Sequence, residues 1–250
     1  DRTGYESEAV WSGMSALRDT GLTDAIGIAP GPANGFILDL IGCFERFGEA
    51  IDWAMIILNP FEPWPGELCL DAAARHGVRV ITRVVDYGGI FWDDVTPTTE
   101  LSKGDHRAFR PEGWITEGRA KLDRLRPMAE AADLTPMQLA CAWNLAHPAV
   151  ECVVPTLIQE SGEGARPIEE KRAELAALPA EQRLSDEQVA EIRSIGDNSG
   201  CMALKGAAPD HSGEERPDRW PVTPGLAEVG DRWGIDPDRD LRHLAAEPAR

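Results

Sequence analysis

The chain has 250 residues, of which 42% are hydrophobic, so it is long enough to bury one large core. Its formal net charge of −18 excludes nucleic acid and anionic membrane surfaces as expected partners, because both attract basic patches. No membrane-spanning run and no signal peptide is recognised, and the five scattered cysteines indicate neither a disulfide framework nor a zinc site, so a reduced cytoplasm is the expected compartment.

Strand and helix patterns alternate along the chain. Runs of β-branched and apolar residues indicate the strands, and apolar periodicity indicates the helices. The predicted strands are residues 24–29, 53–58, 78–85 and 151–156. The predicted helices are residues 6–20, 35–47, 66–76, 167–177 and 185–195, and leucine and alanine stripes at 122–132 and 139–146 are predicted core faces.

The helix ends carry local signals. Three glycines just past a helix are expected to be left-handed caps: Gly21, Gly48 and Gly77. Two hydroxyl residues followed by a glutamine three positions later predict capping boxes, which begin at Thr135 and Ser185.

The alternation predicts an α/β fold with a parallel sheet covered by helices. A doubly wound open sheet and a (β/α)₈ TIM barrel both fit, but the loop at residues 27–35 lacks the GxGxxG spacing of the open sheet, which favours the barrel. A closed barrel needs eight strands and the pattern shows four. We therefore expect about the last four βα units of a barrel, completed by a missing N-terminal half or by another chain.

Two domains follow from this pattern. Residues 1–196 are predicted to form the partial barrel, and residues 197–250 a C-terminal extension that packs on it. Trp220 and Trp233 are the expected anchors of the extension, with a short helix or turn after Trp233.

Polar residues follow the predicted strands at the end where barrels carry their sites. The third strand ends in Arg83, Asp86 and Tyr87 before a glycine pair, and a long polar loop, residues 88–114, is expected to cover the barrel mouth. The fourth strand leads into a glycine-bearing loop with Arg166 and then a helix start, which is an arrangement that binds phosphate.

The order and spacing of five segments resemble the aldo-keto reductase family, NAD(P)H-dependent oxidoreductases built on a (β/α)₈ barrel. Together the segments run through residues 6–195. They are GLTDAIGIA (21–29), the Asn59-Pro60 strand end, ELCLDAAARHGVRVITRVVDYGGIF (67–91), TPMQLACAWNLAHPAVECVVPT (135–156) and RPIEEKRAEL (166–175).

The resemblance implies a site for NADP(H), or for NAD(H), at these strand ends. It places Arg83 against the nicotinamide ring and Asn59 beneath that ring. It places Tyr87 and Gly88 near the pyrophosphate, and Thr156 where the last strand meets the cofactor phosphates.

The adenosine end of the cofactor is implied to lie at Arg166, Glu169 and Glu170. This element departs from the family, because Glu170 stands where the family has an asparagine, and a carboxylate there weakens affinity for a phosphate. Ala29-Pro30 likewise replaces the family's Ser-Asn pair.

The family's catalytic Asp, Tyr, Lys and His lie on its first four strands, and none of those strands is recognised here. Tyr5 and Tyr87 are the only tyrosines, and neither has the catalytic context. We therefore assign no catalytic residue and no metal site. The resemblance implies hydride transfer to or from a small carbonyl or a sugar-like alcohol, with this chain supplying mainly the cofactor site and inactive alone.

Two alternatives remain open. One is a non-catalytic half-barrel that forms a homo-oligomer or binds a partner. The other is a different TIM-barrel lyase or hydrolase that acts through Asp86, Asp93 or Asp94, although Asp93 and Asp94 are expected to be solvated loop carboxylates.

Overall fold

The computed structural model describes residues 2–30, 37–101, 104–110, 112–162, 164–180, 184–199 and 222–241. The strands in these ranges are β1 (Gly27–Ile28), β2 (Trp53–Ile57), β3 (Arg79–Arg83) and β4 (Val150–Val154). They form one sheet in the order β1-β2-β3-β4, and β1 pairs with β2 in parallel, with Gly27 opposite Trp53. Gly27 is required there, since a Cβ would lie 2.6 Å from the carbonyl oxygen of Trp53.

The helices begin and end as follows. They are α1 (Arg2–Glu6), α2 (Glu8–Asp19), α3 (Ile37–Phe47), α4 (Leu70–Arg75), α5 (Trp114–Ala131), α6 (Pro136–Leu145), α7 (Ile168–Ala176), α8 (Asp186–Gly196), α9 (Pro224–Trp233) and α10 (Pro237–Asp240). None of these helices is both long enough and apolar enough to cross a membrane.

All four predicted strands are present, each shorter than its sequence pattern. The predicted helix at 6–20 is α2, which begins after Ser7 because the Ser7 side chain caps its start, and the short helix α1 precedes it. The predicted helix at 66–76 begins as a 3₁₀ turn, Gly66–Cys69, and continues as α4. The loop at 88–114 is not structureless, since it contains the 3₁₀ turns Ile90–Trp92 and His106–Phe109.

The cap predictions hold at four of five positions. Thr135 and Ser185 each form a complete capping box. Gly21 and Gly77 have φ of 73° and 68°, as left-handed caps require. The prediction for Gly48 was wrong: Gly48 has no positive φ and begins a 3₁₀ turn, Gly48–Ala50, that continues directly from α3.

The chain divides into two compact units, which are described separately. The first contains residues 1–56, 64–81 and 198–250. Its core is the apolar face of α3, where Ile37, Leu40 and Phe44 are fully buried. The described part of the C-terminal extension packs here: α9 contacts α3, and Glu45 accepts hydrogen bonds from Arg232 and Trp233.

Trp233 is therefore an anchor, as predicted, and the short helix predicted after it is α10. Trp220 lies outside the described residues, as do residues 31–35 of the loop at 27–35. The division at residue 197 into a barrel and an extension stays a prediction.

The second unit contains residues 57–63 and 82–197. Here α5 contacts α6 and α8, and α6 contacts β4. Leu122, Leu125 and Trp143 are buried, so both leucine and alanine stripes are core faces, as predicted. At the end of α8 the backbone of Gly196 lies against Pro60, since a Cβ on Gly196 would be 1.6 Å from the carbonyl oxygen of Pro60.

Candidate functional site

The polar ends of β2, β3 and β4 lie in the second unit, and the turn after β3 is the most unusual of them. Val84 has φ of 60° and Tyr87 has φ of 47°, followed by Gly88 and Gly89 at 65° and 100°. A β-branched residue in the left-handed region is strained, and such strain is found at functional sites more often than elsewhere. This turn is therefore a candidate part of a site on backbone geometry alone.

Asn59, at the end of β2, holds the turn in place. Its side-chain amide donates to the carbonyl of Val84 at 3.0 Å and to Glu62 Oε2 at 2.9 Å, and its Oδ1 accepts from the backbone N–H of Phe61. The residue is fully buried. Its polar groups are therefore occupied by the protein, and its predicted place beneath a nicotinamide ring stays a prediction.

Arg83 differs from every other buried arginine of this unit. It is half-buried at the end of β3, and within the described residues its guanidinium has neither a hydrogen bond nor an ion pair. Burial lowers the pKa of Arg83, and no neighbouring carboxylate opposes that effect. A desolvated cation without a partner is costly, so this group is ready to bind an anion or a carbonyl oxygen.

Asp86 connects the turn to the end of β4. Its Oδ1 accepts from the backbone N–H of Thr156 at 2.8 Å, and the carbonyl of Thr156 accepts from the indole N–H of Trp92 at 2.9 Å. Burial raises the pKa of Asp86, more than the hydrogen bonds from Thr156 lower it. Its other carboxyl oxygen, Oδ2, is buried and has no partner among the described residues.

Tyr87 lies against a buried arginine. The guanidinium carbon of Arg110 is 4.5 Å from the centroid of the Tyr87 ring and 4.9 Å from that of Trp114. Two nitrogens of Arg110 donate to the two carboxyl oxygens of Glu62 at 2.9 and 3.2 Å. Burial is the largest single effect and lowers the pKa of Arg110, but the charge and hydrogen bonds of Glu62, together with Tyr87 and Asp86, outweigh it, and the net shift is upward.

Gly88 is held by a second buried arginine. Arg107 donates to the carbonyl of Gly88 at 3.0 Å, and its guanidinium also pairs with Glu160 at 2.5 Å and Asp105 at 2.7 Å. A Cβ on Gly88 would lie 3.1 Å from the Trp114 ring. The backbone of Gly88 is thus held between Arg107 and Trp114, the first residue of α5.

Arg166 is brought to the same region but is already paired. Its Nη2 donates to Glu174 Oε2 at 2.6 Å, and its Nη1 donates to the carbonyl of Trp92 at 3.1 Å. Glu169 and Glu170, in the first turn of α7, are exposed and do not contact it. The sequence analysis named Arg166 but missed Glu174, its partner eight residues further along the chain.

A buried ion pair was also missed. Lys171 Nζ lies 2.6 Å from Asp94 Oδ2, and neither side chain is exposed. The expectation that Asp93 and Asp94 are solvated was wrong for Asp94, and Asp93 is paired with Arg119 and Arg126. A signal for Lys171 existed in the sequence, because it falls on the inward stripe of α7 between Ile168 and Leu175.

Within the described ranges, no group of three or more His, Cys, Asp and Glu side chains is arranged to hold a metal ion. The strand ends offer groups of the kind that bind a dinucleotide. Among the described residues Arg83 has no hydrogen-bond or ion-pair partner, and exposed Thr156 stands at the end of β4, where a phosphate oxygen would find its hydroxyl. At the adenosine end the chain offers a cation, Arg166, that its own carboxylate already neutralises.

Comparison with known proteins decides the family. A sequence model of the Aldo/keto reductase family matches residues 2–197. The chain belongs to the aldo/keto reductase family. Its α/β fold with a parallel sheet is that of the family's TIM barrel. The expectation that the chain supplies about the last four βα units of that barrel stays a prediction.

Solved structures agree on the fold. The glycerol dehydrogenase AKR11B4 from Gluconobacter oxydans is similar, with 17% identity, a TM-score of 0.59 and coverage of 74% of this chain and 53% of that chain. The apo form of the aldo-keto reductase AKR11C1 from Bacillus halodurans is similar with 19% identity, a TM-score of 0.51 and coverage of 76% and 58%. No curated protein sequence matched the chain. This aldo/keto reductase chain spans little more than half the length of the two solved structures named above.

Proposed function

We propose that the chain supplies the cofactor-binding part of an aldo/keto reductase that transfers hydride between a nicotinamide dinucleotide and a small carbonyl or a sugar-like alcohol. Membership of the family supports the reaction class. The single observation that supports the site is the guanidinium of Arg83 at the end of β3, which has no hydrogen bond or ion pair with any residue that the structure describes. The bound dinucleotide would supply the hydride.

The residues of the chain would bind and orient that cofactor. Arg83 would donate to the nicotinamide end, where its unused N–H groups gain a partner on binding. Tyr87 and Gly88 would border the pyrophosphate, with their positions fixed by Arg110 and Arg107. Thr156 would approach the phosphates from the end of β4, and Asn59 would act indirectly by bracing Val84.

The proton donor would come from elsewhere. Tyr5 is buried in the first unit and its hydroxyl donates to the carbonyl of Ala29, and Tyr87 faces Arg110. Neither suits protonation of a substrate oxygen, which needs an acid in contact with the reacting carbonyl. We therefore expect the 250-residue chain to bind a dinucleotide without turning over substrate.

Arg83 provides the test. Titration of the folded chain with NADH and NADPH, followed by tryptophan fluorescence and calorimetry, should give saturable binding to at least one of them. Arg83→Gln should weaken that binding roughly tenfold, about 1.4 kcal/mol, because a charge-assisted contact is lost. Arg124→Gln is the matched control, since Arg124 is an exposed arginine on α5. Equal affinity for Arg83→Gln and the wild type would contradict the proposed site.

The buried carboxyl of Asp86 favours a second candidate, a lyase or hydrolase of the same fold class. A raised pKa is a feature of general acids, and Asp86 combines it with a buried oxygen, Oδ2, that has no hydrogen-bond partner in the described part of the chain. Asp93 and Asp94 are less suited to that role, since each is held by cations. Nucleotide-independent turnover that disappears in Asp86→Asn would favour this candidate. Concentration-dependent dimerisation with no nucleotide binding would instead favour a non-catalytic half-barrel.

A further inference from the structure

The segment at residues 159–174, described at every position but 163, runs from the loop after β4 into the first two turns of α7. It combines glycines at positive φ, Gly162 and Gly164, with an arginine and a helix start, which are the parts from which proteins build phosphate sites. NADP(H) differs from NAD(H) by one phosphomonoester on the adenosine ribose. If a dinucleotide binds at the strand ends, this segment is the part of the chain with the chemistry to distinguish the two.

The arginine of the segment is not available to a phosphate. Arg166 donates to Glu174 Oε2 and to the carbonyl of Trp92. Glu174 is itself fixed, because its Oε1 accepts from the hydroxyl of Thr135 and its backbone carbonyl accepts from Gln138. A phosphomonoester at Arg166 would have to share the cation with a nearly buried carboxylate, and the two negative groups repel each other.

The helix start is also occupied. The backbone N–H of Ile168, the first residue of α7, donates to Gln159 Oε1 at 2.9 Å. The amide nitrogen of Gln159 is within 3.2 Å of the carbonyls of Glu160 and Arg166, so the side chain is held in this position. A protein amide therefore takes the donor that a phosphate oxygen would use at the end of the helix dipole.

The charges around the segment oppose a second phosphate group. Glu169 and Glu170 are exposed in the first turn of α7. Lys171 is neutralised by Asp94 and has no exposed surface. The remaining cation of the segment, Arg172, is exposed, and the two carboxylates of Glu169 and Glu170 outnumber it. Carboxylates do, by contrast, accept hydrogen bonds from the hydroxyls of an unphosphorylated ribose.

We infer that the 159–174 segment rejects the adenosine phosphomonoester, so that the chain prefers NAD(H) over NADP(H), with Glu174 as the positioning residue that holds Arg166 away from a phosphate. The inference rests on the proposed function. It differs from what the family resemblance implies, because that resemblance places Arg166 at the adenosine end of the cofactor as a group available to bind it.

The test is the ratio of the two affinities. The full chain is titrated with NADH and with NADPH by calorimetry, and NADH should bind roughly tenfold more tightly or better. Glu174→Gln keeps the size of the side chain and its hydrogen-bond acceptor but frees the charge of Arg166. It should tighten NADPH binding roughly three- to tenfold and change NADH binding less than about twofold. Glu191→Gln removes the same charge from the exposed face of α8 and should change neither affinity.

A double variant shows which group causes the gain. Arg166→Gln combined with Glu174→Gln should lose the added NADPH affinity, because the released guanidinium is gone. NADPH binding as tight as NADH binding in the wild type overturns the inference, whatever the variants do. An unchanged NADPH affinity in a folded Glu174→Gln variant overturns the role of Glu174. Binding of neither nucleotide instead defeats the proposed function, and this inference with it.

Discussion

Lys171 and Asp94 form an ion pair of 2.6 Å from which solvent is excluded on both sides. Lys171 also donates to the carbonyl of Ile158 at 2.7 Å, and Asp94 accepts from the backbone N–H of Arg166 at 3.3 Å. The pair therefore ties the loop after β3 to the loop after β4 and to α7. Both loops carry residues of the candidate cofactor site.

Removing one member of this pair should destabilise the fold strongly. Lys171→Met leaves Asp94 buried without its cation, and we expect a loss of about 3–5 kcal/mol in the free energy of unfolding. The double variant Lys171→Met with Asp94→Leu should recover most of that loss, because no buried charge is left. Urea unfolding measures both. Arg172→Met, one position along on the exposed face of α7, should cost less than about 0.5 kcal/mol.

Asp86 should make stability fall with rising pH. Burial raises its pKa, so the folded protein keeps a proton at this carboxyl that the unfolded chain loses above about pH 4. The stability contributed by this residue is fully present below that pH and is lost as the pH rises through the folded pKa. Asp86→Asn cannot ionise and keeps an acceptor for the N–H of Thr156. Its free energy of unfolding should therefore rise relative to the wild type between about pH 4 and pH 8. A constant difference across that range would show that Asp86 is not perturbed.

Gly196 should tolerate no side chain. A Cβ there would lie 1.6 Å from the carbonyl oxygen of Pro60, so the end of α8 would have to move off this backbone. Gly196→Ala should cost about 3 kcal/mol or more in thermal or urea unfolding. Gly13→Ala is the matched control, since nothing lies within 4 Å of its added Cβ in the middle of α2. That variant should gain about 0.5–1 kcal/mol from helix propensity.

Val84 should be replaceable by glycine at little cost. Its φ of 60° strains a β-branched side chain by about 1–2 kcal/mol, and glycine relieves that strain. We expect Val84→Gly to unfold within about 1 kcal/mol of the wild type. Val80→Gly, at a fully buried position of β3, should cost about 3 kcal/mol. Equal losses at both positions would argue against strain at Val84.

The sequence was sufficient for the order of strands and helices because their signals are local. Apolar periodicity and capping residues act within a few positions, so Thr135 and Ser185 could be recognised from their glutamine partners alone. Gly48 shows the limit of such signals: a glycine after a helix permits a left-handed cap, but here the chain turns on directly into the 3₁₀ turn before β2.

The candidate site was predictable only in outline. Strand-end polarity indicated Arg83 and Arg166 as candidates, but it could not show that within the described residues Arg83 has no partner and Arg166 is paired with Glu174. Pairs such as Arg110 with Glu62 join residues far apart in the sequence, and no short-range pattern reports them. Burial of Asp94 was missed for the same reason, since a loop carboxylate is normally solvated.

Arg107 affects the local opening of the second unit. Its one guanidinium binds the carbonyl of Gly88 and the carboxylates of Glu160 and Asp105, which belong to three separate stretches of chain. Moving any one of these three groups away leaves the nearly buried guanidinium of Arg107 without one of its partners. The backbone amides of these three stretches should therefore exchange hydrogen through a single shared opening event. We expect the three stretches to move together and not as independently mobile loops.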